Sequence, residues 1–144
     1  MRRPSWTAHT SSLWRGITPI DFSFKVHVEF VSISYLFVSA EDNVALYRHA
    51  DIKSYYNGVS LGGGLGVKLL NGLESIHALD VRAKALSSVG SPDWKRTSYD
   101  LSLAWYIRSG RFSPIVELGY RYIDSSTKGI SNCGHAFLSI GFRY

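Results

Sequence analysis

The carboxyl-terminal stretch, residues 134–144, alternates apolar and polar side chains up to the last residue. A period of two is that of a β-strand, in which successive side chains point to opposite faces. Phe137 is the one departure from the alternation. A solvated tail does not need an aromatic last residue with apolar residues stepping back in twos, whereas a strand that closes a barrel in lipid does. The apolar positions are Ala136, Leu138, Ile140, Phe142 and Tyr144.

Earlier segments alternate in the same way, and turn-forming residues separate them. Asn71-Gly72 is typical of a type I′ hairpin turn, and residues 109–111 form a second short turn. Residues 87–96 and 125–133 are longer polar loops. Short turns at one end and longer loops at the other are typical of an up-and-down membrane barrel. The segments are residues 59–69, 73–86, 98–108 and 113–124.

The N-terminal half is harder to interpret. Apolar residues fall on even numbers from Phe22 to Phe30 and then on odd numbers from Val31 to Phe37. A one-residue slip without turn residues indicates a β-bulge or the junction of two strands. Residues 44–56 hold further strand-like pieces, so six strands are clear and two more are plausible.

Bacterial barrels carry even strand numbers from eight upward. We therefore predict an all-β fold, an antiparallel up-and-down transmembrane β-barrel of eight strands over residues 21–144. Residues 1–20 are predicted to be a poorly ordered N-terminal extension. The alternative is a chain that lacks part of its first strands.

Composition excludes several classes of protein. The formal net charge is +5, but the basic residues are dispersed, which argues against nucleic-acid binding. No stretch approaches the roughly 18 consecutive apolar residues of a membrane helix. The single Cys133 excludes an intramolecular disulfide and leaves a zinc ion without a second thiolate. No residue cluster implies a cofactor, a metal or a catalytic centre.

Residues 1–20 also carry no visible signal peptide. They include Arg2, Arg3 and Arg15 but lack the apolar core of about 7–15 residues that such a peptide requires. Three explanations are open: a misplaced start codon, a fragment or engineered form, or a protein that is not exported. The Ser/Thr content before Asp21 loosely suits a mitochondrial transit peptide.

The polar faces of the alternating segments carry charges of both signs. Mixed charges suit a filled lumen with internal ion pairs, because buried charge is tolerated only when it is paired. Aromatic residues gather at strand ends, as in the interfacial girdles of membrane barrels. The alternative is a soluble sheet whose polar face is solvated. The predicted lumen residues are Lys68, Asp80, Arg82, Lys84, Asp100, Glu117, Arg121 and Arg143.

Two strand endings resemble those of small outer-membrane barrels of the porin-like, opacity and adhesion/invasion classes. They are Leu-Gly-Tyr-Arg-Tyr at residues 118–122 and Ile-Gly-Phe-Arg-Tyr at residues 140–144. The resemblance covers roughly residues 58–144 and is a pattern match. It implies the outer membrane of a Gram-negative bacterium, contact with membrane lipid, with lipopolysaccharide as a candidate, and a structural or adhesion-type role. It further implies that barrel-assembly machinery reads a carboxyl-terminal signal made by Leu138, Ile140, Phe142 and Tyr144.

Two other functions remain open at this point. One is a soluble calycin-like barrel that binds an apolar ligand inside. The other is a barrel enzyme that modifies lipid A, for which His27 shares a strand face with Ser23 and Glu29. The glycines of residues 62–66 lie inside a strand pattern, so we interpret them as close-packing residues and not as a phosphate loop. Oligomeric state is not predicted.

Overall fold

The computed structural model describes the backbone of residues 2–11, 17–29, 33–49, 52–70, 76–91, 94–108, 112–128 and 130–143. Side chains are described for residues 33–44, 57–70, 76–91, 94–108, 112–128 and 130–142.

The described chain forms an antiparallel sheet in which every strand pairs with its neighbour in sequence. β1 also pairs with β8, from Ser5 opposite Arg143 to Ser11 opposite Phe137, so the sheet closes on itself. The predicted all-β antiparallel up-and-down order is confirmed. The strands are β1 (Arg2–Ser11), β2 (Ile17–Glu29), β3 (Ser34–His49), β4 (Ile52–Leu70), β5 (His77–Ser88), β6 (Arg96–Ile107), β7 (Ser113–Ser125) and β8 (Cys133–Arg143).

Strand connections fall at two ends of the ring. Residues 30–33, 71–76 and 108–112 connect strands at the end where both termini lie, which we call the short-turn end. The connections at the opposite end are residues 12–16, 50–51, 89–95 and 126–132, and we call it the long-loop end after the last two, which are the longest of the ring. No helix in the described part of the chain is long and apolar enough to cross a membrane.

The N-terminal region differs from the prediction. Arg2–Ser11 is not an extension but strand β1, and β2 already begins at Ile17. The register sets Trp6 opposite Phe24 on β2 and opposite Phe142 on β8. The segment is rich in Ser, Thr and Arg, so its alternation is too weak to detect without the neighbouring strands that pair with it.

The phase slip near residue 30 marks the junction of β2 and β3, the second of the two explanations offered for it. The apolar face predicted for the following segment was wrong. Tyr35 and Phe37 are buried inside the ring, whereas Leu36 and Val38 between them are exposed on its outer face. The start of β3 therefore places aliphatic residues outside, at Leu36 and Val38, and the rings of Tyr35 and Phe37 inside.

Glycines on β4 make room for these rings. Gly66 lies opposite Tyr35 in the register. A Cβ added at Gly66 would lie 2.2 Å from Cζ of Tyr35, closer than real Cβ contacts allow. The close-packing role expected for these glycines therefore has a specific partner on the neighbouring strand.

We expect Gly66→Ala to lower the free energy of unfolding by about 1–3 kcal/mol, because the new methyl group overpacks the ring of Tyr35. The double variant Gly66→Ala/Tyr35→Leu should lose less than the two single variants added together, because the contact pair is coupled. Denaturant titration of the refolded chain measures all three. Strict additivity would contradict the proposed collision.

Candidate functional site

The interior holds a square of alternating charges, formed by Glu41 on β3, Lys84 on β5, Asp100 on β6 and Arg121 on β7. Arg121 donates from Nε and Nη2 to the two carboxylate oxygens of Asp100, each at 2.7 Å. Its Nη2 also donates to Glu41 at 2.9 Å. Lys84 Nζ lies 3.0 Å from Asp100 and donates to Glu41. Each cation of this charge square therefore contacts both anions.

A second polar group lies two residues nearer the short-turn end along β5. We call it the Arg82 cluster, and it consists of Tyr35, Asp80, Arg82, Ser102 and Glu117. Arg82 donates from Nε to the hydroxyl of Tyr35 at 2.7 Å, and this hydroxyl donates to Asp80 at 2.7 Å. Arg82 Nη1 lies 3.3 Å from Glu117. Ser102 donates to the other oxygen of Glu117. The cluster connects four strands across the ring.

The buried charges balance among the residues with described side chains. The anions are Glu41, Asp80, Asp100 and Glu117, and the cations are Arg82, Lys84, Arg96 and Arg121. Removing one partner of a buried pair typically costs about 3–5 kcal/mol, because the remaining charge stays buried without compensation. The interior is thus a set of mutually dependent groups.

The structure brings most of the predicted lumen residues together. Asp80, Arg82, Lys84, Asp100, Glu117 and Arg121 are all buried and joined in the two polar groups. Lys68 is half-buried and lies opposite Asp80 in the register. The side chain of Arg143 lies outside the described residues, as does Tyr144.

Sequence reasoning missed two central residues, Glu41 and Tyr35. Both lie on the odd-numbered positions of β3, which were read as the apolar face. A usable signal was present, because Ser39, Glu41 and Asn43 continue the odd positions as polar residues. Giving these polar residues more weight than the aromatic pair would have assigned the odd-numbered side chains of β3 to the interior.

The outer face is apolar on every strand with described side chains. Leu101 is 61% exposed and Ile140 is 60% exposed. The carboxyl-terminal residues Leu138, Ile140 and Phe142 lie on this face, whereas Phe137, the departure from the alternation, is buried inside. Other exposed members are Leu36, Val38, Leu61, Leu65, Leu103 and Leu118.

Exposed aromatic residues lie at two levels of this face. Tyr99 lies opposite Tyr122 at the level nearer the long-loop end. Trp105 and Phe142 lie nearer the short-turn end. Along β8 the two levels, at Gly134 opposite Tyr122 and at Phe142, are about 26 Å apart at ~3.3 Å per residue, or about 20 Å along the axis for strands tilted by ~40°. This spacing is close to the apolar band of roughly 25 Å in outer-membrane barrels.

A small apolar cluster lies at the long-loop end. Trp94 is buried against Ile123, and Ile130 and Cys133 pack against this pair. Trp94 donates from its indole N–H to Ser125 at 2.9 Å, and the guanidinium of Arg96 lies 5.2 Å from the Trp94 ring centroid. Burial raises the pKa of the Cys133 thiol, which lies beyond the apolar band, and the charge of Arg96 partly offsets the shift. The thiol is therefore a packing group and a poor nucleophile at neutral pH.

Of the other candidate residues, those with described side chains do not assemble into a catalytic or metal site. The side chain of His27 lies outside the described residues, so the lipid-modifying hypothesis stays untested. His77 is exposed and stacks on Trp105, with ring centroids 5.6 Å apart. The glycines of residues 62–66 lie within β4, without the helix that a phosphate loop needs. In the described residues, no three His, Cys, Asp or Glu side chains come close enough to hold a metal ion.

An antiparallel sheet closed on itself, apolar outside and ionic inside, is the architecture of small up-and-down barrels. No family model and no curated protein sequence matches the chain. Among solved structures, the outer membrane protein Ail of Yersinia pestis, determined in a phospholipid bilayer nanodisc, matches with a TM-score of 0.55. The match covers 99% of this chain and 98% of Ail at 15% sequence identity, so the two proteins share a fold.

We expect Arg121→Gln to lower the free energy of unfolding by about 3–5 kcal/mol, because Asp100 and Glu41 both lose a buried partner. The double variant Arg121→Gln/Asp100→Asn should lose clearly less than the sum of the single variants. Lys95→Gln, at an exposed lysine of the long-loop end, serves as a control and should change little. Denaturant titration in liposomes measures each variant, and an Arg121→Gln effect as small as that of the control would contradict the pairing.

Proposed function

We propose that the chain is an eight-stranded outer-membrane β-barrel protein with a packed polar lumen. Its outer face contacts lipid, and its loops carry a structural or adhesion-type role at the cell surface. The observation that carries this proposal is the inverted distribution of side chains, with ion pairs buried inside and leucines exposed outside. The fold shared with Ail, an outer membrane protein, supports the same conclusion.

The inverted distribution argues against the soluble alternative. Soluble monomers rarely expose contiguous apolar patches of more than a few hundred Å². Here Leu101, Leu103 and Leu118 are neighbours on one exposed face, and the apolar rows continue onto β8. A barrel that binds an apolar ligand also needs an apolar interior, whereas this interior is held together by Arg82, Lys84 and Arg121.

The filled interior argues for a role at the surface of the barrel and against general porin activity. An eight-stranded barrel encloses a space just wide enough for side chains. The charge square and the Arg82 cluster occupy that space with groups from β3, β5, β6 and β7. Contacts with other molecules are therefore proposed for the long-loop end and for the lipid-facing surface.

The two aromatic levels support lipid as the partner of the outer face. Tyr and Trp side chains favour the headgroup region of a bilayer. The exposed Lys95 and Lys128 lie beyond the Tyr99 level, where they suit the phosphates of an anionic outer-leaflet lipid such as lipopolysaccharide. We also propose that Leu138, Ile140, Phe142 and Tyr144 form the strand that barrel-assembly machinery recognises.

A charge placed on the outer face tests whether that face contacts lipid. Leu103→Arg should destabilise the refolded chain by about 2–4 kcal/mol, the cost of Arg near the middle of a bilayer, because Leu103 lies midway between the two aromatic levels. Ser87→Arg is the matched control, because Ser87 is exposed on the neighbouring strand beyond the apolar band and should cost at most about 1 kcal/mol. Denaturant titration in liposomes gives both values. A soluble barrel would tolerate both changes within about 0.5 kcal/mol, and that result would overturn the proposal.

A further inference from the structure

β4 extends well beyond the strand that follows it. β4 contains 19 residues and β5 contains 12. On one side, β4 pairs with β3 from Ile52 onward. On the other side, its ladder with β5 begins only at Ser60, opposite Ser88, and Val89 adds one bond to the carbonyl of Val59 at 2.9 Å. Within the described chain, residues 52–58 thus pair on one side only, and we call them the β4 edge.

The backbone groups of the β4 edge can be assigned from their neighbours. The carbonyl of Val59 points toward the β5 side, because it accepts the bond from Val89. In an antiparallel ladder, the N–H and C=O of one residue point the same way, and successive residues alternate. Lys53, Tyr55 and Asn57 therefore direct their N–H and C=O groups to the open side, over about 13 Å of strand at ~3.3 Å per residue.

The connection between β5 and β6 is bonded at its β6 end to a different loop. The backbone of Lys95 accepts a bond from the N–H of Ser126 at 2.8 Å, and its own N–H donates to Thr127 at 2.7 Å. These bonds fix the returning part of the 89–95 connection on the loop that follows β7. The described part of this connection makes no ladder with residues 52–58.

The two margins of the projecting sheet differ in sequence. β2 extends past its pairing with β1 only at residues 17–19, and this short margin contains Pro19. Proline lacks the N–H that an added strand needs, and natural edges are commonly blocked by proline, charge or bulges. The β4 edge contains no proline and a single charged residue, Lys53. Pro19 therefore blocks strand addition at the β2 margin, whereas the β4 edge has no such block.

The β4 edge also lies beyond the apolar band. Gly63 pairs with Ala85, which in turn lies opposite Tyr99 at the upper aromatic level. The nearest residue of the edge, Gly58, is about 17 Å farther along the strand at ~3.3 Å per residue. The edge is therefore on the aqueous side of the long-loop end, a placement that rests on the proposed function.

A second copy of the chain does not fit this edge. Two barrels in one membrane have β4 running in the same direction, so a symmetric contact would need a two-fold axis along the membrane normal. That axis places the N–H of each residue against the same N–H of the other copy, and each C=O against the same C=O. No ladder can form in this arrangement, because donors face donors and acceptors face acceptors.

We propose that the β4 edge binds an extended polypeptide segment of another protein, which adds to the sheet as a further strand. Main-chain hydrogen bonds to Lys53, Tyr55 and Asn57 provide the affinity, as in other cases of strand addition. The segment needs about six residues without proline at the bonding positions, and an acidic residue beside Lys53 would strengthen the pairing. Recognition then depends on backbone conformation more than on a particular sequence.

The test uses a synthetic peptide of the sequence Asn-Val-Ala-Leu-Tyr-Arg-His, a copy of residues 43–49, which already pair with the β4 edge on its β3 side. The full chain is placed in phospholipid nanodiscs, and fluorescence anisotropy of the labelled peptide measures binding. We expect saturable binding to the parent chain. The same peptide N-methylated at every peptide nitrogen keeps its side chains but has no backbone N–H to donate on either edge, and it should not bind.

Two variants at one position separate backbone from side-chain recognition. Tyr55→Pro removes one N–H on the open side and should weaken binding about tenfold. That loss corresponds to roughly one main-chain hydrogen bond. Tyr55→Thr keeps that N–H and should bind like the parent. Absence of saturable binding, equal binding of the N-methylated peptide, or an equal loss in both variants would overturn the proposal. A chain that inserts into nanodiscs yet fails these tests would leave the proposed function intact.

Discussion

Pairing of buried charge is the constraint on which the rest of this molecule depends. The charge square can exist only if β3, β5, β6 and β7 bring Glu41, Lys84, Asp100 and Arg121 to one level of the ring. An ion left alone in such an interior would cost several kcal/mol. The register of four strands is therefore coupled, because a slip of one residue would turn these side chains to the outer face.

The apolar outer face follows from the same alternation. Each strand that directs a charge inward directs its neighbours in sequence outward, as Asp100 and Leu101 illustrate. Lipid suits such a face because it needs no hydrogen bonds, while closure of the sheet through β1 and β8 satisfies the backbone of the outermost strands. Where β4 extends past this closed part, residues 52–58 form a ladder on one side only within the described chain.

The sequence was sufficient to predict the strands and the inward-facing side chains of the C-terminal half, but it was misleading for the N-terminal half. The difference has physical reasons. Alternation is strong when one face is leucine-rich and the other charged, as around Lys84 and Asp100. It fails where aromatic rings lie inside, because Tyr35 and Phe37 resemble lipid-facing residues until the glycines opposite them are known. β1 was missed because a strand of Ser, Thr and Arg is recognisable only through its pairing partners. The β4 edge could not be predicted, because it depends on the pairing register between strands, and the sequence of a single strand does not reveal that register.

Electrophoresis in SDS with and without boiling, after refolding of the full chain in liposomes, tests the central claim most directly. A closed barrel with a paired ionic interior resists SDS until heated, so the unboiled sample should migrate differently from the boiled one. The chain should also require lipid or detergent to stay in solution. A soluble monomer in plain buffer, with identical migration before and after boiling, would mean that the leucine-rich face does not contact lipid and would contradict the account.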